Sequence, residues 1–283
     1  MKLCAFADEA AKDLRGQIAA LERHGIPLLE IRGVDGENIS DISAGKAREI
    51  RKMLDAAGVK VWSVGSPIGK YPLSEPFAPH LDVFLRTAEL AEILGASKMR
   101  VFSFFTEEGM DGEREKDEVL HRMRALLESA PENLTLCHEN EKEIFGGSIE
   151  NCLALHRELP RLRAVFDPAN FVQCGEDAEA AFDALSPYIE YMHAKDARTD
   201  GANVLLGDGA GKLPLILRKY AENGGEVVTL EPHLKKFTGL ERLENGRSVS
   251  HGSYSFATLG EAFDAAAERL KSLIYENEKE PTK

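Results

Sequence analysis

The sequence predicts an α/β chain folded as a single (β/α)8 barrel. Three observations carry that expectation. Eight short apolar runs recur along the 283 residues. A stretch of helical periodicity separates each run from the next, as alternating strands and helices require. Nearly every run ends in acidic, amide, basic or imidazole side chains.

The runs are 2–7 (KLCAFA), 27–32 (PLLEIR), 59–64 (VKVWSV), 97–102 (SKMRVF), 133–138 (NLTLCH), 161–166 (RLRAVF), 188–193 (YIEYMH) and 226–231 (EVVTLE). Most are rich in Val, Ile, Leu or aromatic residues and are strand-length. Between them, Leu14, Ile18 and Leu21 fall at helical spacing before Gly25, a stop signal. Ile50, Met53 and Leu54 do so before Gly58, and Leu81, Phe84, Leu85, Ala88 and Ala91 before Gly95. Leu120, Met123, Leu126 and Leu127 form the fourth helix, and Ile149, Leu153 and Leu155 the fifth. The Ala-rich 178–185, then 213–221 and 257–274, complete the set. Such alternation implies parallel strands joined by right-handed crossovers. Eight units in a chain of this length fit a closed barrel better than an open doubly wound sheet. No linker or composition shift interrupts the pattern, so one catalytic domain is expected over 1–275, with a frayed tail at 276–283.

Hydrophobic residues make up 43% of the chain, enough for a sizeable core. The formal net charge of −13 gives no electrostatic footprint for nucleic acid or an anionic membrane. It favours work on small molecules. Cys4, Cys137, Cys152 and Cys174 form no CxxC pair, so reduced thiols and a cytoplasmic location are expected. The N-terminus lacks a signal-peptide core, and no apolar run approaches the roughly 20 residues that span a bilayer.

In a barrel of this kind the active site forms at the C-terminal ends of the strands. Those ends deliver Asp8 and Glu9; Glu30 and Arg32; Lys70; Arg100 and Ser103; His138, Glu139, Asn140 and Glu141; Asp167 and Asn170; His193, Lys195 and Asp196; Glu231 and His233. Strand alternation narrows the choice. If Glu139 points into the barrel, so do Thr135 and Cys137, while Leu134, Leu136 and His138 face the helices. His138 then reads as an interlayer histidine. The same parity places Asp167, His193 and Glu231 inside, with Tyr191 and Thr229 below the latter two. Any one of these could be a solvated strand end. Four together, aimed at one mouth, need a compensating cation, and carboxylates with one imidazole suit Mn²⁺, Mg²⁺, Co²⁺ or Zn²⁺.

Other features read more plainly. LLGDGAGKLP (205–214) matches neither a Walker A nor a dinucleotide fingerprint, so a Gly-rich turn is expected rather than a phosphate cradle. The stretch 232–255 has the length of a lid or a solvated connection. Trp62 reads as barrel-wall packing rather than a sugar platform. His24, His80, His121 and His156 read as surface residues of helices.

At "FADEA" (6–10), "LLEIRGVDG" (28–36), "TLCHENE" (135–141), "FDPAN" (166–170), "YMHAKDA" (191–197), "LLGDGAG" (205–211) and "TLEPH" (229–233) the chain resembles the sugar phosphate isomerase/epimerase superfamily, the xylose isomerase-like TIM barrels. The resemblance spans roughly residues 1–275. It implies one divalent metal ion on Glu139, Asp167, His193 and Glu231, with Glu139 and Glu231 also serving as the acid/base pair. The implied activity is isomerisation or epimerisation of a sugar, sugar phosphate or cyclitol. Removing a proton α to a carbonyl gives an enediolate, which a divalent ion holding both oxygens stabilises. One carboxylate takes the proton and a second, on the opposite face, returns one. A lyase of the inosose dehydratase type is the runner-up, and a non-catalytic ligand-binding barrel the third reading. Asn170, His233, Lys195, Lys70, Arg100 and Arg32 are candidates for binding the carbohydrate substrate.

The chain departs from the ketose-epimerase pattern at three substrate-contacting positions, where it carries Asn170, Phe145 and Thr199. That argues against a free ketose and leaves the metal shell untouched. An endonuclease IV-like repair enzyme would need a His-rich three-metal site, and only His138, His193 and His233 lie near strand ends. Self-association as a homo-oligomer is implied by the resemblance alone.

Overall fold

The computed structural model describes residues 1–106, 112–237 and 255–279. Eight parallel strands close into one barrel: β1 (Lys2–Ala5), β2 (Leu28–Ile31), β3 (Lys60–Gly65), β4 (Lys98–Val101), β5 (Thr135–Glu139), β6 (Arg163–Phe166), β7 (Ile189–Ala194) and β8 (Val227–Leu230). Neighbours in sequence are neighbours in the sheet, and β1 pairs with both β2 and β8 to close the ring. All eight expected strands are present, shifted by one or two residues at their ends. Two register shifts interrupt the ladder, one in β2 between Leu29 and Glu30 and one in β6 between Ala164 and Val165.

The outer layer holds α1 (Leu14–His24), α2 (Ala44–Ala56), α3 (Phe77–Leu94), α4 (Gly112–Ser129), α5 (Ile149–Glu158), α6 (Pro168–Gln173), α7 (Ala178–Leu185), α8 (Leu213–Glu222) and α9 (Leu259–Lys279). Asp13, Ser43, Ser148 and Asp177 cap α1, α2, α5 and α7 by accepting hydrogen bonds from first-turn amides. Gly25 and Gly95 end α1 and α3 in the left-handed conformation that glycine tolerates best. The main core lies between these helices and the barrel wall. A second, smaller apolar layer fills the barrel interior from Cys4, Cys137, Val165, Tyr191 and Val227, with Trp62 packed against it. Trp62 therefore sits below the strand ends, edge-on to Tyr191 and under Lys98 Nζ at 4.3 Å, and is wall packing as expected.

Three features differ from the sequence reading. The short α6 was not anticipated; Pro168 at its first turn and Asp167 as its cap generate it. The helix α9 runs on to Lys279, four residues past the expected boundary at 275. His24, His80 and His156 are buried, not at the surface. His24 lies 2.7 Å from Asp264, and His80 accepts a hydrogen bond from the Gly69 amide at 2.9 Å. His156 lies 3.2 Å from the Leu162 carbonyl. Burial pushes His80 and His156 each down to about 4, so both pack as neutral rings. His121 is exposed, as expected. No helix among the described residues is long and apolar enough to cross a membrane.

The glycine-rich turn 205–214 wraps an internal anion. Asp196, just beyond β7, accepts hydrogen bonds from the amides of Ala197, Gly207, Gly209 and Gly211 at 2.9–3.0 Å. The cradle that could have held a phosphate is filled by the chain's own carboxylate. Lys212 points outward to Asp177 and Glu179. A Cβ on Gly209 would collide with Asp196 Oδ1 and stand 2.6 Å from the Ala197 carbonyl oxygen. Asp196→Ala and Gly209→Ala are each expected to lower the unfolding free energy by about 2–3 kcal/mol in urea titrations. Lys212→Ala, which touches only the outer face of the turn, is expected to leave stability nearly unchanged.

Candidate functional site

The polar strand ends converge as the alternation required. Glu139, Asp167, His193 and Glu231 are buried, and one ligand atom from each lies within 4.8 Å of all the others. His193 Nδ1 is 3.0 Å from Glu139 Oε1, 3.1 Å from Glu231 Oε2 and 3.8 Å from Asp167 Oδ2. Ligands held about 2.1 Å from one ion at right angles lie about 3.0 Å apart, so this spacing suits a single divalent ion. Three carboxylates and one imidazole are also the donor set that such an ion takes.

Local sequence explains the placement. Asp167 is followed by Pro168, which starts α6, so Asp167 Oδ1 caps that helix through the Asn170 amide at 2.9 Å. Its other oxygen, Oδ2, is left to face the cluster. Asn140 ties β5 to β6 by accepting from the Asp167 amide at 3.0 Å and donating to the Asp167 carbonyl at 2.9 Å. Asn170 in turn donates to Glu139 Oε1 at 3.2 Å and to the Asn140 carbonyl at 2.9 Å.

Two buried guanidiniums grip the two glutamates. Arg100 Nη1 donates to Glu139 Oε2 at 2.7 Å, and Arg32 Nη1 donates to Glu231 Oε1 at 2.7 Å. Arg32 also forms a bidentate pair with Asp8 at 2.9 Å and reaches Glu9 at 3.2 Å. Its planar head lies between the rings of Phe6 and Phe237, 4.2 and 4.6 Å from their centroids. Burial opposes ionisation of Glu139, but His193 and Arg100 outweigh it and hold the carboxyl at about 2. Burial likewise opposes the charge on Glu231, and Lys195 and His193 hold it well below its usual range. Asp167 behaves oppositely: burial raises it to about 6, only partly offset by Lys195. Burial disfavours the charged His193, yet Glu139, Glu30 and Glu231 around it raise it well above an ordinary histidine.

The other residues singled out from sequence fall into two groups. Lys195 Nζ is beside the cluster, 2.9 Å from Asp167 Oδ2 and 3.4 Å from Glu231 Oε2. His233, in a left-handed conformation, lies 3.4 Å from both Glu9 and Glu231. Lys70 stands farther out, 3.1 Å from Glu141 and over the Phe102 ring. His138 does not join the cluster: it faces outward to Ser103 Oγ at 3.0 Å, and burial lowers it to about 3. It is the interlayer histidine expected. Of the departures from the epimerase pattern, Phe145 is buried, and Arg198, the neighbour of Thr199, pairs with Asp200 at the exposed rim. Of the suggested lid, 232–255, residues 238–254 lie outside the described residues, and Phe237 within its described part reaches Arg32.

A second cluster of Glu9, Glu231 and His233 shares Glu231 with the first. The Arg32 guanidinium already bridges its two glutamates. Sequence reasoning missed the work of Glu30, Asn140, Asp8 and Glu9, all of which it had placed at strand ends without a role.

The sequence profile of the xylose isomerase-like TIM barrel matches residues 18–273. No curated protein matches the chain in sequence. Among solved structures, L-ribulose 3-epimerase superposes with a TM-score of 0.77 at 16% identity, covering 99% of this chain and 96% of its own. The IOLI protein, whose crystal structure carries a zinc atom, superposes with a TM-score of 0.76 at 18% identity, covering 98% and 99%. The probable 3-DHS dehydratase AsbF of Bacillus anthracis gives a TM-score of 0.74 at 16% identity, covering 96% and 99%. At these identities the likeness is one of fold, and with the profile match it settles the family: the chain belongs to the xylose isomerase-like TIM barrels.

Proposed function

We propose that this chain is a divalent-metal-dependent isomerase or epimerase of a sugar, sugar phosphate or cyclitol. The observation that carries the reading is the buried quartet Glu139, Asp167, His193 and Glu231, gathered within 4.8 Å at the mouth of the barrel. When bound there, a divalent ion would act as a Lewis acid towards adjacent substrate oxygens and make the α-proton easier to remove.

The protein's own part follows from the geometry. Glu139 comes from β5 and Glu231 from the end of β8, on separated arcs of the ring. A substrate lying between them would meet a carboxylate on each side. One would accept the α-proton as general base and the other would return a proton, which inverts a centre or moves a carbonyl. Arg32 and Arg100 fix both carboxylates in orientation, so little reorganisation is needed at the moment of transfer. Asn170, Lys195 and His233 line the same space and are the first candidates for holding substrate hydroxyls; Lys70 stands farther out, against Glu141.

One observation favours a lyase as the second reading. Lys195 presents a buried ammonium 2.9 Å from Asp167 and 3.4 Å from Glu231. Such a group can protonate a departing β-hydroxyl after the α-proton has gone. The neighbour AsbF, a probable dehydratase, has the same fold.

Elemental analysis after dialysis is expected to find close to one divalent ion per wild-type chain, and a reduced content in Asp167→Asn and Glu231→Gln. An absence of metal even after soaking with Mn²⁺ would sink the mechanism and leave a ligand-binding barrel. Incubation with candidate sugars, sugar phosphates and cyclitols in D₂O then separates the two chemistries. An isomerase or epimerase gives solvent deuterium in a product otherwise of unchanged composition, whereas a lyase gives loss of water.

Metal affinity should also depend on pH with a definite sign. His193 and Asp167 both titrate above their usual values in the metal-free protein, so each holds its proton to higher pH, and an incoming ion must displace it. The dissociation constant is therefore expected to weaken about tenfold per pH unit on acidification, and more steeply below about 6, where Asp167 also becomes protonated. Mn²⁺ titrations between about pH 5 and 8 check the slope.

A further inference from the structure

We infer that Glu30 is the positioning residue of the metal centre, acting through His193 rather than on substrate. It fixes the imidazole with Nε2 protonated and Nδ1 bare towards the ion. The inference rests on the metal reading proposed above and extends it to a residue one layer deeper.

The geometry is a chain of buried hydrogen bonds below the cluster. His193 Nε2 lies 3.1 Å from Glu30 Oε2, while Nδ1 is the nitrogen that faces Glu139, Glu231 and Asp167. Glu30 Oε1 accepts from the Tyr191 hydroxyl at 2.6 Å, and that hydroxyl is 3.0 Å from Ser63 Oγ. Tyr191 donates to the carboxylate, so Ser63 donates to Tyr191, and the bonds from Ser63 through Tyr191 and from His193 Nε2–H converge on Glu30. Tyr191, Ser63 and His193 are fully buried, and Glu30 is 1% exposed, so water does not compete for any of these bonds. A carboxylate behind a ligating imidazole fixes its tautomer and raises its basicity.

The sequence builds this arrangement with a local irregularity. The register of β2 against β3 slips between Leu29 and Glu30, so Glu30 pairs with Ser63 where an unbroken ladder would place Trp62 opposite. Such irregularities re-aim a side chain. Here the slip sets Glu30 level with Ser63, its indirect hydrogen-bond partner through Tyr191. The ring of Tyr191 sits directly under His193, 5.8 Å between centroids, and is wedged from the side by Trp62 at 6.1 Å. Phe6 packs edge-on to the other side of His193 at 5.3 Å. The imidazole plane is thus fixed by packing, and Glu30 decides which nitrogen keeps the proton.

The test reads the tautomer directly. Histidine-¹⁵N-labelled protein loaded with Zn²⁺ is examined by long-range ¹H–¹⁵N correlation, with His193 assigned by its loss in His193→Gln. The expected spectrum shows His193 protonated at Nε2 and bare at Nδ1. Zinc titrations should show affinity weakened roughly 10- to 100-fold in Glu30→Ala. Glu30→Gln, which keeps an acceptor for Nε2–H, should weaken it less, and Tyr191→Phe least. Zinc bound through Nε2, or Glu30→Ala binding zinc within about twofold of wild type, overturns the inference and leaves the metal-dependent reading standing. Failure of the wild type to bind zinc or Mn²⁺ overturns both. If Glu30→Ala does not fold, the wild-type tautomer decides alone.

Discussion

Glu139 and Glu231 are buried as anions at the mouth of this barrel because cations are buried with them, His193 and Arg100 around the first and Lys195, His193 and Arg32 around the second. Taking an unpaired carboxylate out of water costs several kcal/mol, and deleting one partner of a buried pair typically costs about 3–5 kcal/mol. Arg32 draws Asp8 and Glu9 after β1, its own position after β2, and Glu231 after β8 into one network. Those strands are the ones that meet where the barrel closes. Arg100, on β4, performs the same service for Glu139 on the adjacent β5. The clamps thus join the closure of the fold to the orientation of the two glutamates. A lysine could not replace Arg32: the single ammonium lacks the flat fork that engages both Asp8 oxygens while stacking on Phe6 and Phe237.

The barrel interior is ordered by depth. At the bottom Cys4, Cys137, Val165, Val227 and Trp62 make an apolar floor. Above it Tyr191, Ser63 and Glu30 form a polar layer that ends on His193. Above that lie the four clustered ligand atoms, and then Lys195 and His233. Tyr191 donates to Glu30, and Glu30 in turn meets His193. The apolar floor also keeps the dielectric low beneath the cluster, where charge interactions are strongest.

Much of this was legible in the sequence, and the reasons are local. Period-two alternation along one strand decides which side chains enter the barrel, and it placed Glu139, His193 and Glu231 without any knowledge of partners. Asp167 was legible by the same parity, whereas the helix start that Asp-Pro makes at a strand end went unread, and α6 with it. The buried helical histidines were misread although their spacing carried the signal. His24 follows Leu21 by three residues, His80 precedes Phe84 by four and His156 follows Cys152 by four, so each lies on its helix's inner face. What alternation could not show is the relation between strands. Glu30 and Ser63 are brought level by a register slip, and Arg32 meets Glu231 only because the ring closes. The Gly207–Gly211 stretch was legible as a turn and not as the cradle of an internal carboxylate, because the occupant, Asp196, comes from another segment.

At Asn170, where the resemblance would place a substrate-contacting histidine in the ketose epimerases, the side-chain nitrogen is engaged internally. The Asn170 side-chain amide donates to Glu139 and to the Asn140 carbonyl, so the residue braces a glutamate. Together with Arg100 and His193 it leaves Glu139 engaged at both oxygens and weakly basic, at about 2. A carboxylate held that strongly ionised is a good ligand and a poor proton acceptor unless the carbon acid is itself activated. Under the proton-transfer reading, the burden of lowering the barrier then shifts from the strength of the base to the activation of the substrate. That division of labour suits an α-proton beside an existing carbonyl far better than one on a simple alcohol. The same fixed carboxylates and buried cations would serve either outcome of the resulting carbanion, reprotonation or loss of a β-hydroxyl. What separates the two is the group that meets the leaving oxygen, and Lys195, seated between Asp167 and Glu231, is the cation proposed for that role.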